Sequence, residues 1–224
     1  MIRNVDIDEI SDGKRYHAND MVKIACEDCR GCSECCRDMD NTIILDPYDM
    51  YLLQKGTGKD AASLLENEIE LRVVDGLILP NIKMQEETKS CGFLTKEGRC
   101  GIHEFRPGFC RLFPMGRIYE DGSFSYFLQV NECNFANKSK IKLKKWLGIE
   151  NLSEYEKYIL HYHNLCKDIT LGFSIDSSQE AMKSIDMLFL KTMFMNPYDV
   201  KMPFYEQYYE RAKIIGTIIP GNAL

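Results

Sequence analysis

Between positions 26 and 36 the chain reads Cys26-Glu-Asp-Cys29-Arg-Gly-Cys32-Ser-Glu-Cys35-Cys36, five thiols in eleven residues. No packing rule gathers thiols in this way, so the run has to wrap something. Deprotonated cysteine sulfurs bind soft or borderline ions such as zinc and iron. A Cys-x-x-Cys turn lets two sulfurs converge on one ion, and Cys29-x-x-Cys32-x-x-Cys35 extends the turn to three. The same run wraps iron–sulfur clusters in bacterial ferredoxins, with a remote cysteine completing the set.

Four further cysteines follow at a distance: Cys91, Cys100, Cys110 and Cys133. With Cys29, Cys32, Cys35 and Cys36 they make eight, enough for two four-thiolate sites. Adjacent side chains on extended backbone point to opposite sides. Cys29, Cys32 and Cys35 are therefore expected to face one centre and Cys36 the other. Spacing does not divide the distant four. Cys26 and Cys166 fall outside the expected set, Cys166 because it shares the apolar face of a helix. Structural zinc sites usually pair two Cys-x-x-Cys knuckles, and this chain has only one end of that kind. The irregular remote ligands favour an iron–sulfur cluster, with zinc as the alternative. Arg106 and Arg111 flank Cys110 and are expected to offset the negative charge of such a site.

At 224 residues the chain is long enough for a real core, and 45% of its residues are hydrophobic. The net charge of −6 argues against a general nucleic-acid binder. The opening Met-Ile-Arg-Asn-Val-Asp-Ile-Asp-Glu-Ile has no apolar stretch of the signal-peptide kind. No run approaches the length of a membrane span. A cytoplasmic, reducing location is the expectation, in which ten cysteines read as ligands and not as disulfides.

The order of local signals predicts an α+β chain: a small cysteine-rich metal-binding core with short antiparallel hairpins, braced by C-terminal α-helices. Residues 1–136 form the expected cysteine-cluster domain and 137–224 a helical segment packed on it. Residues 1–25 carry no firm periodicity and read as an entry segment, followed by a wrapping cysteine loop. Thr42 to Leu45 is a candidate buried strand. Asp46, Pro47 and Asp49 then open a helix that should end near Gly56-Thr-Gly58, and a second should cover Asp60 to Glu70. Gly56-Thr-Gly58-Lys59 lacks the first glycine of a phosphate loop and the hydroxyl residue after the lysine, so it reads as a helix–helix turn. Asp75-Gly76 sits between apolar runs as a hairpin turn within 71–84, with Pro80 restricting its second strand to an edge. Lys96-Glu-Gly98 turns the chain between Cys91 and Cys100. Asp121-Gly122 predicts another hairpin, from Arg117 to Leu128. Ser153 with Glu156, and Ser177 with Glu180, have capping-box spacing. The second of these should open a helix to about Phe194, and Pro203 a third from Phe204 to about Ile215.

The ordered set Cys29-x-x-Cys32-x-x-Cys35-Cys36, Cys91-Gly-Phe-Leu, Arg99-Cys100-Gly-Ile-His103-Glu-Phe-Arg106-Pro107-Gly-Phe-Cys110-Arg111-Leu-Phe-Pro114 and Cys133-Asn resembles the YkgJ-like cysteine-cluster family. The resemblance spans about residues 29–134. It implies a zinc- or iron-chelating domain and, since the family includes flagellin lysine N-methylases, a role in modifying a protein or peptide substrate. His103 departs from the tyrosine found in many members. The residues themselves announce no cofactor pocket for such a reaction. There is no Gly-x-Gly-x-x-Gly loop and no Cys-x-x-x-Cys-x-x-Cys run of the radical S-adenosylmethionine kind.

His161 and His163 are two apart, so a helix points them to different faces. Lys138-Ser-Lys-Ile-Lys-Leu-Lys-Lys145 with Trp146 is a basic patch on an acidic chain, read first as a solvated face and second as a dock for an acidic or phosphate-bearing ligand. Two functions remain open at this level: a metal-cluster enzyme acting on protein or peptide, or a non-catalytic module that holds or senses metal.

Overall fold

Among the described residues, each of the six strands pairs with a single antiparallel partner, and every described cysteine but Cys166 lies in the connections between strands. The computed structural model describes residues 6–26, 32–174 and 178–219. After a short α1 (Ile7–Ile10), β1 (Met21–Ala25) pairs with β6 (Ser139–Lys142), placing Val22 opposite Ile141 and Lys23 opposite Lys140. The stretch read as an entry segment without firm periodicity therefore contains a strand. Met-Val-Lys-Ile-Ala alternates, burying Val22 and Ile24 and exposing Met21 and Lys23, the period of a half-buried strand. Its partner comes from the basic run, in which Lys140, Lys142, Lys144 and Lys145 are exposed while Leu143 and Leu147 are buried in α5 (Leu143–Leu147).

The two Asp-Gly hairpins form as the sequence predicts. β2 (Ile69–Val74) and β3 (Leu77–Ile82) join through Asp75 and Gly76, and β4 (Met115–Glu120) and β5 (Ser123–Leu128) through Asp121 and Gly122. All four turn residues have positive φ, between 49° and 88°, which suits the right-handed twist of tight hairpins. The expected strand from Thr42 to Leu45 is reduced to one bridge, Ile44 with Asn81. Pro80, lacking an N–H, offers that neighbour only its carbonyl, which accepts from Leu45 at 2.9 Å.

α2 (Pro47–Thr57) carries a complete capping box between Asp46 and Asp49 and stops at Gly58 with φ 70°. α3 (Ala61–Asn67) is shorter than the expected Asp60 to Glu70, because Ile69 already pairs with Ile82. After α4 (Gly108–Leu112), α6 (Leu152–Ser174) starts one residue before Ser153, so the expected capping box is absent. Asn151 takes positive φ there, its carbonyl accepting from Glu154 and Tyr155. Ser178 caps α7 (Gln179–Leu190) by accepting from Ala181 N–H, and the expected cap, Ser177, lies outside the described residues. α7 continues as a π-helical turn over Lys191–Met195, and α8 (Phe204–Gly216) follows Pro203.

The larger core joins α2, β2, β3 and the helices α6 to α8; the smaller one gathers Val22, Ile24, Leu112, Met115, Tyr126, Leu143 and Leu147. The fold is α+β, with short antiparallel pairs and C-terminal helices. None of the described helices is long and apolar enough to cross a membrane.

Candidate metal centre

The 3-10 turn Glu34–Cys36 is stitched directly to the segment that bears Cys91. Cys91 N–H donates to the Cys36 carbonyl at 2.8 Å, Asp38 N–H to the Lys89 carbonyl at 2.8 Å, and Arg37 bridges Ser90. The knuckle at Lys96 to Gly98 closes through Thr95 N–H to the Arg99 carbonyl and Gly101 N–H to the Phe93 carbonyl, both at 2.8 Å, setting Leu94 beside Cys100. A 3-10 turn, His103–Phe105, then feeds α4, which carries Cys110. The result is that Cys35, Cys91, Cys100 and Cys110, drawn from four separate stretches, share one neighbourhood.

Each bears on the ionisation of the others. Burial pushes the Cys91 thiol up to about 11, with Cys100 and Cys35 adding to the shift. Cys110 is pushed well up by burial and then by Cys91, Cys35 and Cys100. Cys100 is raised by burial, partly offset by Arg106. Cys35 is raised by a hydrogen bond with Cys36 and then by burial, and Arg106 again opposes the shift. Four thiols thus resist ionising together, a conflict that a bound cation resolves by supplying the missing positive charge.

Cys35 and Cys36 do not point to opposite sides. Both sit in a 3-10 turn, where successive side chains are not opposed, and their thiols touch. Cys35 bears on Cys91, Cys100 and Cys110 and also lines a small cavity with Cys32. Cys29 lies outside the described residues.

The helix that presents Cys110 is fixed from below by the α2 capping box. Gly108 N–H donates to Asp49 Oδ1 at 2.6 Å, and Asp49 Oδ2 accepts from Asp46 N–H at 3.0 Å. Tyr158 donates its hydroxyl to Asp46 Oδ1 at 3.0 Å. Burial pushes both carboxyls up, and Asp46 adds to the rise at Asp49. Arg117 donates to the Tyr155 hydroxyl at 2.7 Å, and that oxygen stands 2.8 Å from where a Cβ on Gly108 would lie. Only glycine fits this approach. No metal-ligand pattern points to this anchor; Asp46-Pro47-x-Asp49 was legible as a cap and not as a support for α4.

Of the two arginines expected beside the site, Arg106 bears on Cys35 and Cys100 and contacts His103 Nε2. Arg111 spends its donors on the carbonyls of Arg106, at 2.9 Å, and Glu104, so it braces the turn before α4. His161 hydrogen-bonds the Tyr208 hydroxyl at 2.8 Å and His163 stacks on Tyr119 at 3.7 Å, so neither histidine meets the thiols. Cys166 sits beside Tyr162 on α6, where burial pushes its thiol up to about 12.

A second group lies next to the first. Cys26, Cys32, Cys35 and Cys133 line a cavity of about 30 Å³ together with Glu34, Glu132, Phe113, Pro114, Phe135 and Trp146. Burial raises the Cys133 thiol, Cys26 and Cys32 add to the rise, and Lys138 opposes it. Asn134 Nδ2 donates to Glu34 at 3.2 Å and Trp146 Nε1 to the Phe113 carbonyl at 3.2 Å, which holds the cavity's rim. None of the nine described cysteines is in a disulfide. Among the described residues, no three His, Cys, Asp or Glu side chains form a group that could hold a metal ion. The sulfurs are neighbours that a metal has to draw together, and their all-thiol chemistry fits a soft or borderline ion.

Fold and thiols together define a class: small α+β domains that present clustered cysteines for metal. The sequence model of the CxxCxxCC family, described as "Putative zinc- or iron-chelating domain", matches residues 28–144, just over half the chain, and the chain belongs to that family. No curated protein and no solved structure matches it significantly.

Proposed function

We propose that the chain binds an iron–sulfur cluster through cysteine thiolates, with Cys35, Cys91, Cys100 and Cys110 as one ligand set and Cys29, Cys32, Cys36 and Cys133 as further ligands. The observation that carries this reading is that Cys91, Cys100 and Cys110, from three stretches, each bear with Cys35 on one another's ionisation, while the Cys91 N–H bonds the Cys36 carbonyl. Their irregular spacing suits a cluster better than paired zinc knuckles. A bound cluster would supply electron transfer, Lewis acidity or a cofactor anchor. The chain's own contribution is to hold the thiols, keep charge beside them with Arg106, and fix Cys110 through Gly108. Thiolate ligands need reducing surroundings, so a cytoplasmic location belongs to the same reading.

Protein purified without oxygen should be brown and contain iron and acid-labile sulfide; a colourless protein containing zinc overturns the cluster. A protein or peptide substrate, modified at a site such as a lysine nitrogen, is the catalytic extension of the proposal. Mass spectrometry of cellular proteins with and without the chain should reveal a lost modification, and identical profiles remove the extension. A non-catalytic zinc- or iron-chelating module, structural or metal-sensing, is the second reading, and it needs nothing beyond the family's chelating character.

A further inference from the structure

Among the described residues β2 pairs with β3 alone, and the far edge of β3 is already taken. Ile78 N–H donates to Asp186 Oδ1 at 2.9 Å, Ile82 N–H to the Ile43 carbonyl at 3.0 Å, and the Pro80 carbonyl accepts from Leu45 at 2.9 Å. These three residues stand opposite Val73, Ile69 and Leu71. In an antiparallel pair, a residue that bonds outwards faces a partner whose own groups also point outwards. The N–H and C=O groups of Leu71 and Val73 therefore line a free edge, and no bond within the described residues takes them up. Their side chains are exposed too, Leu71 by 37% and Val73 by 73%. Proteins usually blunt such an edge with charge, proline or cover, because it templates pairing with another chain. We infer that the β2 edge is a homodimer interface, in which Ile69–Val74 pairs antiparallel with the same strand of a second copy, centred on Leu71.

Charge selects both the occupant and the register. Centring on Leu71 sets it against the partner's Leu71, where the two residues exchange both backbone hydrogen bonds. Glu70 then opposes the partner's Arg72, and the two-fold axis repeats that contact with the roles exchanged. Ile69 opposes the partner's Val73. Opposed residues share a face, so one face of the joint is apolar and the other carries two pairs of opposite charge. Glu70 and Arg72 already bond each other on that face at 3.2 Å, with Arg72 half exposed. Centring the pair on Glu70 or on Arg72 would oppose like charges. Centring it on Val73 would run Leu71 against the turn residue Asp75. Glu70-Leu71-Arg72 is thus its own complement, which favours a second copy over an unrelated strand. Single exposed apolar residues are ordinary on a surface, but these two occupy successive outward positions of an unbonded edge. Joining the hairpins gives a four-stranded sheet, past the two-stranded size that is marginal by itself.

Sedimentation of the reduced full chain over a range of concentrations tests the inference. The wild type should form a dimer that dissociates on dilution. Arg72→Glu opposes acids twice across the joint and should weaken the dimer about tenfold or more. Adding Glu70→Arg should restore it. Val73→Lys, at an exposed position, should weaken it without disturbing the fold. Amide exchange gives a second reading. The Leu71 and Val73 N–H groups should exchange quickly in dilute chain and slowly in concentrated chain, while that of Arg72, bonded within the hairpin, stays slow in both. A chain that is monomeric at every concentration overturns the inference, and so does a dimer that survives both Arg72→Glu and Val73→Lys. A double charge swap that keeps its native circular dichroism yet stays monomeric overturns the Leu71 register. If the swap does not fold, Val73→Lys and the exchange pattern decide, and exchange at Leu71 and Val73 that ignores concentration overturns the interface.

Discussion

At position 108 the backbone N–H and the missing Cβ are both in use: the first donates to Asp49 at 2.6 Å, and the second leaves room for the Tyr155 hydroxyl. Gly108→Ala would bring a methyl group to 2.8 Å from an oxygen that Arg117 holds in place. The expected cost is about 1–3 kcal/mol, the usual penalty of overpacking, read as a lower urea midpoint. Adding Tyr155→Phe should recover part of it, and a purely additive double variant would refute the steric account. Arg106 acts on chemistry more than on folding, since its charge bears on Cys35 and Cys100. Arg106→Ala should weaken metal retention about 10–100-fold, the range for groups that support metal ligands. Competition with a chelator measures it, and unchanged retention would show that Arg106 is an ordinary surface charge.

Elements whose signal is local were legible in the sequence. Asp75-Gly76 and Asp121-Gly122 fix hairpins because only residues tolerating positive φ close such turns. Asp46, Pro47 and Asp49 start α2 as their capping chemistry dictates. Legibility failed where the deciding contact is distant. Met21–Ala25 became a strand only because Ser139–Lys142, more than a hundred residues on, supplies its ladder. The opposed placement of Cys35 and Cys36 assumed extended backbone, and a 3-10 turn brought the two thiols together instead. The sequence offered no sign that Cys26 lines a cavity with Cys32, Cys35 and Cys133, a neighbourhood that the same ladder helps to set. On α6, burial lowers the pKa of both His161 and His163; Asp168 opposes the shift at the first, and Lys167 adds to it at the second. The folded chain therefore binds fewer protons than the unfolded chain as pH falls below the ordinary imidazole value of about 6.5. Stability contributed by neutral imidazoles is present above that pH and is lost on acidification toward the folded values. Urea midpoints measured from about pH 7.5 down to 5.5 should fall, and less steeply in a His161→Gln, His163→Gln double variant. An equal slope in both would exclude the histidines as the cause.

At the scale of the whole molecule, the thiol-bearing part and the C-terminal helices share aromatic packing. The Phe204 ring of α8 has six aromatic neighbours, Tyr48, Tyr51, Tyr158, Tyr198, Tyr205 and Tyr208, with centroids 5.0–5.8 Å away. Tyr48 and Tyr51 belong to α2, the helix whose capping box anchors Gly108 and hence Cys110. The chain of contact therefore runs from α8, through α2, to a candidate ligand. Phe204→Ala leaves a cavity at the centre of that cluster and should cost about 3–5 kcal/mol. Because α2 loses its packing partner, metal retention should fall together with the unfolding midpoint. A fragment of residues 1–136 goes further, since it exposes Tyr51, Leu53 and Met50, all buried in the intact chain. Without α6 and α8 to cover them, the fragment should lack cooperative thermal unfolding even when metal is supplied. Circular dichroism and limited proteolysis of the reduced fragment, with and without zinc, measure this directly. A protease-resistant, cooperatively melting fragment would show instead that metal and the hairpins suffice, and that the helices are a separate attachment.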